Sequence, residues 1–322
     1  MKRIGVLTSG GDAPGMNACI RAIIRSATSR KLDVVGIHQG YRGILEQDFV
    51  KLDSRSVANI IHRGGTFLAT ARCDEMKTDE GIRKARGILQ QQGIEGLITI
   101  GGDGTFRGAA ALAEAGDTKV LGIPGTIDND VYGTDYAIGF DTAINTALDA
   151  IDKIRDTAGS LHRLFFVEVM GRSRGFIALE VGIAGGAEHI LIPEVQTNVE
   201  QLCLNIRNSF KRGKSSFIVI VAEGDDAGGV FSVAQQVGGR LRLDYRTCVL
   251  GHIQRGGSPT ARDRVLASKL GTASVDALVD GMAGHMVGEL KGEIAFTPLR
   301  ETWEKRKELD SNLLQLIKVL AR

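Results

Sequence analysis

A chain of 322 residues, 43% hydrophobic and 24% charged, has the make-up of a soluble globular protein that is too long for one small core and suits two lobes. Its 40 basic and 38 acidic residues leave a formal net charge of +2, and 5% of the chain is aromatic, which excludes a strongly basic, base-stacking nucleic-acid surface. No apolar run approaches the roughly 20 residues that a bilayer span needs. Cys19, Cys73, Cys203 and Cys248 are widely spaced and form no CxxC pair, and the apolar stretch from Ile4 is only a few residues long, so no secretory leader is expected there. The expectation is therefore a cytoplasmic protein with free thiols and no membrane partner.

In chain order, short apolar runs predict strands at Arg3–Thr8, Val34–His38, Gly96–Ile100, Lys119–Ile123, Leu164–Met170, His189–Ile192, Phe217–Ala222 and Cys248–Gly251. Helical spacing predicts Met16–Ser29, Thr78–Gln92, Thr105–Ala115, Asp141–Ala158, Arg174–Ala184, Val199–Arg212 and Ala261–Val279, with a closing helix over Glu301–Ala321. Most of the strand runs are continuous rather than alternating, the mark of parallel strands covered on both faces. The class is α/β: two Rossmann-like lobes with mostly parallel sheets flanked by helices, and sites at the carboxyl ends of strands. The expected lobes are residues 1–140 with 256–305, and 141–255 with 306–322.

Three glycine-rich blocks each close an apolar run: Gly10–Gly15 (GGDAPG), Gly101–Thr105 (GGDGT) and Pro124–Asp130 (PGTIDND). At such strand-to-helix turns, free backbone N–H groups and the positive end of a helix dipole suit phosphate. None is a Walker loop. The one Gly-Lys-Ser, at 213–215, has Asn208 where the first glycine belongs and leads into a strand. None is a dinucleotide fingerprint, since GDGTFRG at 102–108 carries one residue too many before its last glycine.

Asp103, between two glycines, reads either as a helix cap or as a carboxylate that meets phosphate through Mg²⁺. In the third block Asp128 and Asp130 lie two apart with Thr126 before them, a turn composition that also suits a proton acceptor and its orienting neighbour. Arg72 and Arg172 are the cations placed to balance a transferring phosphoryl group. Arg163, Glu223, Arg246, His252 and Arg255 are spread over the second half with the chemistry to hold a phosphorylated sugar, although a lone histidine is more often structural. Arg21 and Arg25, four apart on one helix face, read as a solvated basic face or as a second anion site.

Taken in order, LTSGGDxPGMNAxIR, IIHRGGT, TARC, GGDGT, PGTIDND, GFDTA, VEVMGR, GGAE, VAEG and LGHIQRGGSPTAxDR resemble the bacterial ATP-dependent 6-phosphofructokinase family, from Lys2 to about Leu270. The resemblance implies that ATP phosphorylates the 1-hydroxyl of fructose 6-phosphate, with Asp128 as base and Thr126, Asp130, Arg72 and Arg172 in the catalytic set. It implies ATP binding by Gly11, Arg72, Cys73, Gly102, Asp103, Gly104 and Thr105, with Asp103 at Mg²⁺. It implies sugar-phosphate binding by Thr126, Ile127, Asp128, Met170, Gly171, Arg172, Glu223, His252, Ile253, Gln254 and Arg255, while Arg163 and Arg246 serve a neighbouring subunit of a homotetramer. ADP or phosphoenolpyruvate would act at an effector site built from Arg21, Arg25, Arg55, Arg155, Gly186, Ala187, Glu188, Arg212, Lys214, Ser215 and Ser216. Pyrophosphate-using relatives typically carry Asp in place of Gly104 and Lys in place of Gly125, so the two glycines point to ATP. A pyrophosphate-dependent enzyme and a non-catalytic nucleotide sensor are the alternatives. The sequence departs from the family after Gly171-Arg172, where Ser173 and Arg174 stand. The expectation for Arg174 is that it faces solvent or pairs with Glu180 or another carboxylate, with an inward placement altering sugar affinity or effector response.

Overall fold

The computed structural model describes residues 1–114, 116, 118–161 and 163–320. The chain divides into two compact units. The first holds residues 1–127, 131–142 and 255–307; the second holds 128–130, 143–254 and 308–322, of which 162, 321 and 322 lie outside the described residues.

The first unit is built on a seven-stranded sheet. Its strands are β1 (Arg3–Thr8), β2 (Asp33–Ile37), β3 (Phe49–Leu52), β4 (Gly96–Gly101), β5 (Lys119–Pro124), β10 (His285–Leu290) and β11 (Glu293–Pro298), in the order β11-β10-β5-β4-β1-β2-β3. The five inner strands run parallel, and the two edges, β3 and β11, run antiparallel to their neighbours. Continuous burial of β4 and near-continuous burial of β1 and β5 follow from helices covering both faces. Those helices are α1 (Met16–Ser29), α2 (Tyr41–Glu46), α3 (Asp79–Gln91), α4 (Asp103–Glu114) and α9 (Ala261–Val279). Helix α9 lies close on α1: a Cβ at Gly271 would stand 2.9 Å from the Ala22 side chain and from the Cys19 carbonyl oxygen. Helix α5 (Phe140–Leu161) starts in this unit and continues in the second.

The second unit carries a four-stranded, all-parallel sheet, β7-β8-β6-β9, from β6 (Leu164–Val169), β7 (His189–Leu191), β8 (Phe217–Ala222) and β9 (Tyr245–Val249). Helices α6 (Phe176–Ala184), α7 (Val199–Lys211), α8 (Gly229–Leu241) and α11 (Ser311–Leu320) belong to it. Leu164, Phe166, Leu202, Ile206, Phe217, Val219 and Val233 form its core.

The α/β expectation and most element positions hold, with corrections. The expected closing helix Glu301–Ala321 is two helices, α10 (Glu301–Glu304) and α11, because Lys305 adopts an extended backbone and the charged run 305–308 offers no apolar spacing. The expected end of that helix at Ala321, and of Thr105–Ala115 at Ala115, lies outside the described residues. Strand β9 begins at Tyr245, three residues ahead of the expected Cys248, and ends at Val249, since Gly251 at φ +54° turns the chain into a 3-10 turn over Gly251–Arg255. Strands β3, β10 and β11 and helices α2 and α8 are additions. The edge strands are short or mixed in polarity, and α8 carries Gly229, Gly238 and Gly239, which weaken a helical signal.

Thr260 caps α9 by accepting from the Asp263 N–H. Asp263, 1% exposed, then accepts from the Gly139 N–H at 2.9 Å, the Thr142 N–H at 2.8 Å and the Thr142 hydroxyl. Burial pushes the Asp263 carboxyl up, and the three donors oppose that shift. An Asp263→Asn variant places an amide N–H₂ against one of these donors. It is expected to lose about 1–3 kcal/mol of stability, read as an earlier urea-unfolding midpoint.

Candidate active site

In the first unit, β1 has β2 on one side and β4 on the other, so the turns after β1 and β4 stand at the topological switch point of the sheet. The two turns are tied together: the Ser9 N–H donates to the Ile100 carbonyl at 3.0 Å, and the Thr105 hydroxyl donates to the Ser9 carbonyl at 3.0 Å. This is why Thr105 is 2% exposed, and it makes the side chain a strut for the turn. The β5 turn joins the same edge. Gly125 N–H donates to Gly101 carbonyl at 2.9 Å, and a Cβ at Gly102 would meet Thr126 at 3.7 Å.

Gly11 is exposed and Gly15, at φ +106°, leads into α1 with no side-chain cap, so the α1 N-terminus ends in backbone alone. Arg255 comes to this loop. Its Nη1 donates to the Asp12 carbonyl at 3.3 Å, and a Cβ at Gly11 would stand 2.6 Å from that nitrogen. Asp103 opens α4, and its half-buried carboxylate receives Arg107 Nε at 2.9 Å. Gly104 is exposed, with open space where a Cβ would be. Arg72 is exposed and Cys73 half-buried; they precede Asp74, whose carboxyl is held below the usual range by Lys77 first and by Arg72 in addition. Thr126 and Ile127 are buried, 8% and 0% exposed.

In the second unit, β6, β8 and β9 deliver Arg172, Glu223 and His252 at one end of the sheet. Asp128 is 2% exposed, and Arg172 Nε stands 3.5 Å from its Oδ2 while 64% of the arginine side chain remains exposed. Asn129, at φ +53°, and half-buried Asp130 follow it. Arg172 itself sits at φ +54°, after Gly171 at φ +140°. Its N–H donates to Glu223 Oε1 at 2.6 Å, so Glu223 holds the arginine turn. Met170 is buried and its N–H donates to Gln254 Oε1 at 2.9 Å. Gln254 is 0% exposed, which places it behind the strand end, whereas His252 and Ile253 are exposed.

Arg163 and Arg246 are not brought to this cluster. Arg163 precedes β6, and Arg246, paired in register with Phe165, binds its neighbour's carbonyl, Tyr245, at 2.8 Å. Both lie at the amino end of the sheet, about 20 Å along a six-residue strand from the carboxyl end. Most of the residues read for an effector gather at that amino end as well. Arg155 Nη2 donates to the Gly185 and Gly186 carbonyls at 2.6 and 2.7 Å. Glu188 Oε1 lies 3.6 Å from Arg155 Nη1 and 3.5 Å from Lys214 Nζ, and Glu188 Oε2 accepts from the Ile218 N–H. Ala187 is buried, Ser215 and Ser216 are half-buried just before β8, and Arg212 caps α7 and is exposed. In the first unit, Arg21 is half-buried and Arg25 exposed on α1, and Arg55 is exposed in the turn after β3.

Arg174 does not face solvent. It is 7% exposed, and its Nε lies 3.5 Å from Glu194 Oε1. It precedes α6, which begins at Phe176, two residues after the expected start, because residues 171–175 form a tight turn. Glu194 and Asp263 were missed as site-supporting residues. The T-x-x-D spacing at 260–263 was a legible capping signal for Asp263, while nothing local links Glu194 to Arg174.

The glycines of the β4 and β5 turns differ in tolerance. A Cβ at Gly125 would stand 2.9 Å from Ile100 Cγ2 and 3.1 Å from Met16 Cε, whereas Gly104 has open space. A Gly125→Lys variant is expected to lose about 1–3 kcal/mol by overpacking, and Gly104→Asp to keep a parental thermal midpoint within about 1 kcal/mol. Thermal melts of the two variants check this.

The phosphofructokinase family profile matches residues 3–278. The chain is 58% identical over 321 residues to the ATP-dependent 6-phosphofructokinase 1 of Thermus thermophilus, covering 100% of both chains. It is 51% identical over 321 residues to the ATP-dependent 6-phosphofructokinase of Shouchella clausii, again covering 100% of both. Among solved structures, the Saccharomyces cerevisiae phosphofructokinase superposes with a TM-score of 0.87 at 34% identity; the match covers 100% of this chain and 47% of the yeast chain.

Proposed function

The chain belongs to the phosphofructokinase family, and from that premise we propose that it transfers the γ-phosphoryl group of ATP to the 1-hydroxyl of fructose 6-phosphate, giving ADP and fructose 1,6-bisphosphate. The observation that carries the mechanism is the Arg172–Asp128 pair: a carboxylate 2% exposed with a guanidinium 3.5 Å away at the head of a strand. Asp128 accepts the proton of the sugar's 1-hydroxyl as that oxygen attacks the γ-phosphorus in line with the departing ADP oxygen. Arg172 sits on the solvent side of Asp128, where it neutralises charge on the equatorial phosphoryl oxygens. Asp130 and Thr126 flank the base and orient the hydroxyl. His252 and Arg255 bind the sugar phosphate, with Ile253 between them, and Glu223, Met170 and Gly171 shape the sugar side. Gln254, fully buried, supports Met170 rather than touching the sugar.

ATP is bound at the β1, β4 and β5 turns by Gly11, Arg72, Cys73, Gly102, Gly104 and Thr105, so the first unit is the nucleotide lobe and the second the sugar and effector lobe. Asp103 fits a magnesium ion. It is one carboxylate between Gly102 and Gly104, the latter with open space where a Cβ would be, which suits an ion carried mainly by phosphate oxygens and water. When bound, the ion would neutralise phosphate charge.

Arg163 and Arg246, remote from Arg172 along their own sheet, are assigned to the sugar phosphate of a neighbouring subunit in a homotetramer. The Arg155, Glu188 and Lys214 group, with Arg21, Arg25, Arg55 and Arg212, is assigned to an ADP or phosphoenolpyruvate effector. No helix among the described residues is long and apolar enough to cross a membrane, and a cytoplasmic location accords with a glycolytic role.

A coupled assay with fructose 6-phosphate tests the reading: turnover with ATP and Mg²⁺ but not with pyrophosphate is expected, and the reverse preference would overturn it. Asp128→Ser is expected to lower kcat by about 10²–10⁴ while ATP still binds, measured by turnover and by nucleotide titration. Arg155→Ala is expected to abolish the shift that ADP or phosphoenolpyruvate causes in fructose 6-phosphate saturation, with kcat within about twofold of the parent, since Arg155 stands at the opposite end of the sheet from Arg172.

A further inference from the structure

Between β6 and α6 the chain turns from a buried strand into a helix within six residues, Met170–Gly175, and two of them hold φ in the left-handed region. For an arginine such a backbone persists only when its surroundings over-determine it. Several contacts do so. Arg172 N–H is held by Glu223 Oε1, Arg174 N–H donates to Gly171 carbonyl at 3.0 Å, and the Arg172 carbonyl lies so close to Gly224 that a Cβ there would approach to 2.1 Å.

The remaining anchor is unusual. Arg174 is a buried cation at a helix N-terminus, where the dipole disfavours positive charge. Glu194, just beyond β7, offsets this. Both of its carboxylate oxygens accept the Gly175 N–H at 3.1 Å, capping a helix that has no side-chain cap of its own, and one of them lies 3.5 Å from Arg174 Nε. The Arg174 guanidinium also lies 5.4 Å from the Phe176 ring centroid. A buried ion pair is a poor source of stability compared with an apolar filling of the same space. What it does supply is direction: it ties the far end of the arginine turn to the end of β7, two residues from Arg172.

We propose that the Arg174–Glu194 pair is a positioning device that locks the Met170–Gly175 turn so that the Arg172 guanidinium is held against Asp128, and that it acts on phosphoryl transfer rather than on nucleotide binding. The inference rests on the phosphofructokinase reading above.

Full-length Arg174→Met, Arg174→Lys and the double variant Arg174→Met with Glu194→Gln are compared with the parent for kcat, for KM of ATP and fructose 6-phosphate, and for thermal midpoint. The double variant removes both buried charges and is expected to melt near the parent, above Arg174→Met. Its kcat is expected to stay at least about tenfold below the parent, with KM for ATP within about twofold. Arg174→Lys, which keeps the cation, is expected to retain at least about a third of the parental kcat. A folded double variant with parental kcat, or a lysine variant no better than the methionine one, would overturn the positioning role. An inactive parent would instead remove the enzymatic reading and this inference with it, so the two failures are distinguishable.

Discussion

The contact on which the site depends is between a carboxylate withdrawn from water and a guanidinium that remains in it. Asp128 is nearly inaccessible, and Arg172 reaches it from a turn whose backbone an arginine seldom adopts. A buried carboxylate is costly unless charge and hydrogen bonds support it. The requirement therefore propagates backwards through the sheet. Arg172 needs Glu223 beneath its N–H, Gly224 needs to lack a side chain, and Met170 needs Gln254 behind the strand end. Each of these follows a parallel strand at its carboxyl end, which is where an all-parallel sheet leaves backbone and side chains to be used.

The same architecture separates two charged clusters within the second unit. Its strands run one way, so the carboxyl end carries Arg172, Glu223 and His252, while the amino end carries Arg163, Arg246 and the Arg155–Glu188–Lys214 network. A six-residue strand holds the two ends about 20 Å apart. In the first unit the turns after β1, β4 and β5 stand side by side, tied to one another by hydrogen bonds from Ser9, Thr105 and Gly125. Pre-set turns cost no reorganisation when an anion arrives, which is what makes such sites effective for phosphate.

Glu194 shows how a buried arginine is accommodated. An arginine at position 174 brings a buried charge and an unfavourable dipole, and the acid after β7 answers both while capping α6. Pairing with a carboxylate is one of the two placements expected for Arg174, and Glu194 supplies that carboxylate from across a strand crossover, a pairing that spacing along the chain does not reveal.

The sequence by itself determined the α/β class, the places of the buried parallel strands and the three glycine turns, because continuous apolar runs and glycines at their ends are local signals with a direct steric meaning. It also determined the family, through motifs that recur in order along most of the chain. It did not determine the edge strands β3 and β11, the break near Lys305, or helix α8, since their patterns are short, polar or glycine-weakened. Only the tertiary structure decided that Gln254 is buried support, that Arg163 stands away from Arg172, and that Arg174 is paired with Glu194. Those outcomes turn on which strand lies beside which, and the order β7-β8-β6-β9 is set by packing between residues far apart in the chain.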